Sequence, residues 1–405
     1  MVQRIVKSEK QERAVRVLYS FPHKIGAGRI CNVAWHQVNG LATAGADVFV
    51  STGALQKPLP SNVRVLTTLA LGKLRIPYKL IGSMRAFDLH DYIVSRILEK
   101  KHNQIDIIHA WPLGALRTLS VASKLGIPSV LERPNAHTQF AFEVVQRECE
   151  RLGISMPEGH EHSFNQEVLR KEEKEYKIAD RLLCPSDFVM RTFLAQGFSA
   201  ETLARHQYGF DEKVHYPSPY SGNRTRGLAV LFAGGCAPRK GLHYALEGWL
   251  KSSAYRKGTF TIVGEFIPGY KERLSNMLSH PSIRLLGYRK DLPDLMRESD
   301  ILILPSIEEG SALVTSDARG SGCVLLVSEA AGAICTHMVD ALVHRVGDVE
   351  TLAKQISKLN DDRVFLERLR QVSLSTASEI TWRAAGIKLL DIYREVIASN
   401  KPMLI

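Results

Sequence analysis

DILILPSIEEGSALVTSDARGSGCVLLVS, Asp300 to Ser328, sets an apolar run, an acidic glycine-rich turn, a short amphipathic stretch and a second apolar run in succession. Runs of Val, Ile and Leu without polar alternation mark strands buried on both faces. A strand that passes through a helix into another such strand is the unit of a parallel sheet. Ligands of such sheets gather outside the carboxyl ends of the strands, and the turn after "ILILPS" lies at one of those ends. It carries Glu309, and Asp317 follows with seven residues between them. The segment from Ala312 to Arg319 predicts a short helix stopped by Gly320 and Gly322. Its N-terminal stretch, Gly310, Ser311, Ala312 and Leu313, offers amides to an anion. Asp317, about two turns along, is expected beside that anion, where a carboxylate can accept hydrogen bonds from neighbouring hydroxyls.

The same alternation runs through the chain. In the first half the strands are expected at "AVRVLYSFP", "DVFVST", "VRVLTTL", "IDIIHAWP", "IPSVLERP" and "RLLCPS"; in the second, at "LAVLFAGG", "GTFTIVGE", "IRLLGY", "DILILPS", "CVLLVS" and "ALVHRVG". Glu212 to Gly227, "EKVHYPSPYSGNRTRG", is rich in Pro, Ser and Gly and breaks the series. The reading is α/β: two Rossmann-like, doubly wound parallel-sheet domains facing across a cleft. They are placed at residues 1–213 and 214–380, with a C-terminal helix at 381–405 whose apolar stripe can cross back to the first domain.

A chain of 405 residues is long for one core. No apolar stretch approaches the roughly 18–20 residues needed to span a bilayer, and no signal-peptide core opens the chain, so a cytoplasmic location is expected. Six cysteines without C-x-x-C spacing suit free thiols. A net charge of +11 admits anionic partners, nucleotide phosphates or an acidic membrane face among them. Nucleic acid is not expected, for want of finger spacing or an RNA-binding aromatic signature. Neither D-x-D nor any other metal-ligand spacing occurs, so no metal and no cofactor are expected.

Two further turns follow strands. Gly26 and Gly28, in "SFPHKIGAGRICNVAW", let backbone amides approach a phosphate. Cys31 at the third glycine position, and the absence of an acid after the next strand, exclude a dinucleotide fingerprint. In "LFAGGCAPRKGLHYALEGW", Gly234 and Gly235 end a strand, and Arg239 and Lys240 set two cations where a diphosphate would lie. It is not a Walker loop, and a solvated basic turn gives the same pattern. The charged run from Gln146 to Lys177 reads as an exposed helical hairpin, or as an excursion shaping an acceptor pocket. Leu71 to Arg85 is basic and apolar enough to touch an anionic membrane surface, although a solvated face fits as well.

In order and spacing these segments, together with "IDIIHAW", "EEKEYKIADRLLCPSDF", "HQYGFD" and "ALVHRVGDVETLAKQI", resemble glycosyltransferase family 4 (group 1). These are retaining enzymes of the GT-B fold, and the resemblance covers most of the chain. It implies a nucleotide-sugar donor held mainly by the second domain, and a sugar or lipid-linked acceptor held mainly by the first. It matches Lys240 to a diphosphate-binding lysine and Glu309 to the first acid of an E-x7-E motif. It places the amides of Ser311, Ala312 and Leu313 against sugar and phosphate. Two departures stand out: Asp317 replaces the second Glu, and Gly235 stands where an arginine is usual, leaving Arg239 as its substitute. The resemblance also implies a first-domain histidine near the sugar, for which His137 is the first candidate and His109 the second. Two rival functions fit the same frame: a nucleotide-sugar epimerase and a non-catalytic nucleotide-sugar-binding protein.

Overall fold

The computed structural model describes residues 13–71, 74–75, 82–218 and 226–400. Of the basic stretch Leu71–Arg85, residues 72–73 and 76–81 lie outside that description, as do residues 219–225 of the interdomain linker.

The first sheet has seven parallel strands: β1 (Arg16–Ile25), β2 (Asp47–Leu55), β3 (Arg64–Thr67), β4 (Ile107–Ala110), β5 (Ser129–Glu132), β6 (Arg181–Cys184) and β7 (Leu203–Arg205). Their order across the sheet is β3-β2-β1-β4-β5-β6-β7. The second has six: β8 (Ala229–Ala233), β9 (Thr259–Val263), β10 (Ile283–Gly287), β11 (Ile301–Leu304), β12 (Val324–Ser328) and β13 (Ala341–His344). They are ordered β10-β9-β8-β11-β12-β13 and are again all parallel. Each expected strand is present. β7 was not foreseen, because its three residues, "LAR", carry no apolar run; it is fixed by pairing with β6.

The strand order reverses beside β1 in the first sheet and beside β8 in the second. A crevice opens where connections leave in opposite directions, which is where doubly wound sheets bind ligands. The central strands are wholly buried: Ile301, Leu302, Ile303, Leu304 and Val324 through Val327 are at most 1% exposed. Burial of this kind, worth roughly 25 cal/mol per Å² of apolar surface, holds the strand ends and the turns on them in fixed positions.

Five helices matter for the site: α1 (Arg29–Thr43), α2 (Thr138–Leu152), α3 (Gln166–Ile178), α4 (Leu313–Gly320) and α5 (Trp382–Ser399). α5 does cross back. Leu389, Leu390, Tyr393 and Val396 join the first-domain core, and Phe210 exchanges backbone hydrogen bonds with Ile380 and Trp382 at the crossing. The charged run from Gln146 to Lys177 forms a helical hairpin, but not a simply solvated one. Glu148, Glu172 and Glu175 are all buried, since each meets a cation, a histidine or backbone N–H groups. Among the described residues no helix is long and apolar enough to cross a membrane.

Candidate active site

The site is built from two turns of the second domain laid side by side. β8 runs into Gly234 and Gly235, and a single 3-10 turn at Pro238–Lys240 follows. Gly241 closes that turn with φ 68°, and a Cβ there would stand 2.0 Å from the Pro305 carbonyl oxygen. Only glycine allows both the left-handed backbone and that approach, so the turn is pressed onto the end of β11. The Ile307 N–H then donates to the Arg239 carbonyl at 2.9 Å, and the two turns are fastened together.

Their side chains form a compact charged set. Lys240 Nζ and Arg239 Nη2 both pair with Glu309, the latter at 3.0 Å, and Ser306 Oγ donates to Glu309 Oε1 at 3.2 Å. Arg239 Nε donates to Glu308 Oε2 at 2.6 Å. Burial alone would raise the Glu309 pKa, but Arg239 and Lys240 outweigh it and hold the carboxyl below its ordinary value. Burial, opposed by Glu309, brings the Lys240 ammonium down from its ordinary value. Lys240 remains partly open to the cleft, whereas Arg239 is buried between the two carboxylates.

The first domain reaches the same turn. The Ala136 N–H donates to Glu308 Oε1 at 3.1 Å, and Ser186 Oγ donates to the Gly310 carbonyl at 2.5 Å. A Cβ on Gly310 would lie 1.7 Å from the Pro134 carbonyl oxygen, so the bare backbone is what lets the domains meet here.

The remaining expected residues are placed as follows. Ser311 is half-buried, Ala312 caps α4, and Leu313 packs against the first-domain core. The Ala312 amide, expected to face an anion, is spent on the Ala331 carbonyl at 3.2 Å. Asp317 lies on α4 with Oδ1 3.5 Å from His215 Nε2, a linker residue, and burial next to Asp211 pushes its carboxyl up to about 7. Gly235 is exposed, and a Cβ there would have nothing within 4 Å. Gly26 and Gly28 take φ 81° and 99° at the end of β1, and Gly28 precedes α1.

The two histidine candidates lie in packed surroundings of the first domain. His137 is buried among Tyr176, Phe193 and Phe198, with ring centroids 5.4, 5.0 and 5.9 Å away, and burial takes its pKa to about 4. Its place at the start of α2 turns the ring into an aromatic layer of its own domain. His109 stacks on Tyr19 at 4.4 Å, and its Nδ1 meets the Tyr393 hydroxyl at 2.5 Å. It belongs to a wholly buried polar network around Glu132, which also accepts from Gln37 and Tyr208.

Sequence reasoning missed Glu308, although the doubled acid of "IEEG" was its signal. It also missed Arg29, Glu161 and His162. Glu161 Oε1 stands 3.6 Å from both Arg29 Nη1 and His162 Nε2. Burial takes His162 to about 3, with Arg239 acting in the same direction and Glu161 and Glu309 against it. Arg239 and Glu309 are thus among the charges that act on the loop between α2 and α3. The alternating "GHEHS" was the local signal.

Comparison with known proteins bears on the fold and on the second domain. Residues 227–362 match the family model for glycosyl transferases group 1. A curated relative, the UDP-Gal:alpha-D-GlcNAc-diphosphoundecaprenol alpha-1,3-galactosyltransferase of Escherichia coli, is 24% identical over 282 residues, covering 67% of this chain and 70% of that protein. Among solved structures, Anabaena Alr3699/HepE in complex with UDP-glucose is similar with a TM-score of 0.60 at 18% identity, over 95% of this chain and 99% of that one. WaaG, a glycosyltransferase involved in lipopolysaccharide biosynthesis, is similar with a TM-score of 0.63 at 14% identity, over 94% and 99%. The fold is GT-B, and with the match over the second domain it marks the chain as a glycosyltransferase.

Proposed function

We propose that the chain transfers a hexose from a uridine diphosphate sugar to a hydroxyl of a glycan or lipid-linked acceptor, with retention of configuration and without a metal ion. The observation that carries this reading is the Lys240–Glu309 pair, set at the carboxyl end of the second sheet beside its switch point. As the bond from the sugar's C1 to the diphosphate breaks, negative charge grows on the departing oxygen. Lys240 is the cation placed to receive it, and preorganised charge of this kind contributes several kcal/mol. Glu309 is held by cations on both oxygens and suits orienting sugar hydroxyls better than attacking carbon. Attack then falls to the acceptor hydroxyl on the leaving-group face, its oxygen bonding C1 while its proton passes to the departing diphosphate. Metal independence is part of the proposal: the sequence has no D-x-D, and Lys240 would supply the cation for the leaving group. A uridine nucleotide and a lipid-linked acceptor are suggested by the Escherichia coli relative.

The test uses radiolabelled UDP-galactose and UDP-glucose, a panel of lipid-linked acceptors, and EDTA in the buffer. Lys240→Ala is expected to lower kcat by about 10²–10³-fold, the usual effect of deleting one preorganised donor, and Glu309→Ala by a similar factor. Unchanged turnover in both variants would refute the assignment. A product of inverted anomeric configuration by NMR would remove the retaining reading, and activity that needs added Mg²⁺ or Mn²⁺ would remove metal independence.

A further inference from the structure

The charged set at the donor turn is already balanced. Arg239 and Lys240 face Glu308 and Glu309, two cations against two carboxylates. Arg239 has its Nε on Glu308 and an Nη on Glu309, and it is 7% exposed. A multiply charged diphosphate arriving beside Lys240 therefore finds one partly open ammonium and no surplus positive charge in the second domain's turn. Gly235, with open space about it, adds none.

A further cation stands on the first domain. Arg29 follows the glycine turn at the end of β1, and its side chain is 87% exposed. Its φ is 44°, a backbone region that non-glycine residues adopt rarely and that clusters at ligand clamps. Its partner is Glu161, at 3.6 Å, also exposed. The same Glu161 oxygen lies 3.6 Å from His162, whose ring is largely buried. Glu161 and His162 both bear electrostatically on Arg239, and His162 on Glu309 as well. The loop from Gly153 to Asn165 thus carries both the partner of Arg29 and charges that act on the donor turn, and a long, weak, solvated ion pair is easily exchanged for a better anion.

We propose that Arg29 is the second cation for the leaving diphosphate: it pairs with Glu161, and on donor binding its guanidinium passes to the phosphate oxygens opposite Lys240. Arginine suits this task, because its fork matches phosphate in bidentate geometry. The consequence is a leaving-group site shared between the domains and complete only when both flank the donor. The inference rests on the donor reading above.

Isothermal titration of the full chain with UDP and with UMP, for wild type, Arg29→Ala, Arg29→Lys and Lys240→Ala, tests it. Arg29→Ala is expected to weaken UDP at least tenfold while UMP changes less than twofold, and Arg29→Lys to recover part of the loss. Because Arg29 is exposed, unchanged melting temperatures are expected in both of its variants. If Arg29→Ala binds UDP as wild type does while Lys240→Ala does not, Arg29 has no such role and the donor reading stands. An equal loss for UDP and UMP would also overturn it, by showing a contact that ignores the outer phosphate. If wild type itself holds UDP no better than UMP, the donor reading fails first.

Discussion

Glu308 and Glu309 leave the same strand end and meet different partners. Glu309 gathers Lys240, one arm of Arg239 and Ser306 at the cleft. Glu308 is wholly buried, taking Arg239 Nε on one oxygen and the Ala136 amide of the other domain on the second. Arg239 was read from the sequence as a diphosphate ligand in place of the missing arginine at Gly235. Its guanidinium pairs with both carboxylates, Nε on Glu308 and Nη2 on Glu309, a pairing that "GGCAPRKG" alone gives no means of seeing. Removing one partner of a buried pair leaves the other charged and dry, at a cost of about 3–5 kcal/mol. Glu308→Ala is accordingly expected to lose about that much stability in chemical denaturation, and Glu309→Gln markedly less, since a glutamine oxygen still accepts from Lys240. Equal losses in the two variants would mean that the adjacent acids share one role.

At the scale of elements, α1 and α5 are joined through glycine. A Cβ on Gly386 would lie 2.6 Å from the Gly40 carbonyl carbon, and one on Gly40 would lie 2.9 Å from the Gly386 Cα. Backbone meets backbone there, so neither helix can yield by rotating a side chain. Helix propensity alone favours Gly386→Ala by about 1 kcal/mol, whereas overpacking typically costs about 1–3 kcal/mol. The second effect should win, and Gly386→Ala is expected to lower the melting temperature; a rise would show that the helices part without penalty. The sequence showed the apolar stripe of this helix but not what it covers, for a stripe reports a face and not its partner. The strands were legible for the opposite reason. Uninterrupted Val, Ile and Leu fix burial on both faces, as in β11 and β12, without reference to anything distant. The hairpin acids were misread as solvated because what each one meets is remote in the chain: Glu148 meets His243, Glu172 meets Arg133, and Glu175 accepts from the Leu113 and Ala115 amides. The surroundings of the histidines are equally remote in the chain. His137 begins α2 in the expected place, but Tyr176 and Phe193 decide where its ring points, while His162 sits in a loop with no strand to mark it.

Over the whole molecule, the contacts between the domains besides α5 include the Ala136–Glu308 bond, the Ser186–Gly310 bond, and a clasp between α2 and the helix Leu242–Lys251. In the clasp Glu148 Oε1 lies 2.8 Å from His243 Nε2 and 2.7 Å from Arg151 Nη2, and Arg151 stacks over Tyr244 at 5.1 Å. Burial works to raise the Glu148 pKa, but the contacts from His243 and Arg151 prevail and bring it to about 2. A carboxyl depressed in the folded state contributes stability that is fully present above its unfolded pKa, about 4.3, and is lost as pH falls toward the folded value. The window is therefore roughly pH 4.5 to 2, and a contribution on the order of 1–3 kcal/mol follows from a shift of that size. Glu148→Gln should be less stable than wild type at pH 7, and the gap should shrink to about half by pH 3 and close toward pH 2. A gap that stayed constant across that range, in melting curves at matched ionic strength, would show that Glu148 acts by packing and not by charge. Because α2 leads into the loop that carries Glu161 and His162, loosening the clasp also reaches the cleft. Glu148→Gln is expected to weaken UDP binding at pH 7 and still at pH 4, where the folded wild-type carboxyl remains ionised, and to lose that effect only as pH falls toward about 2.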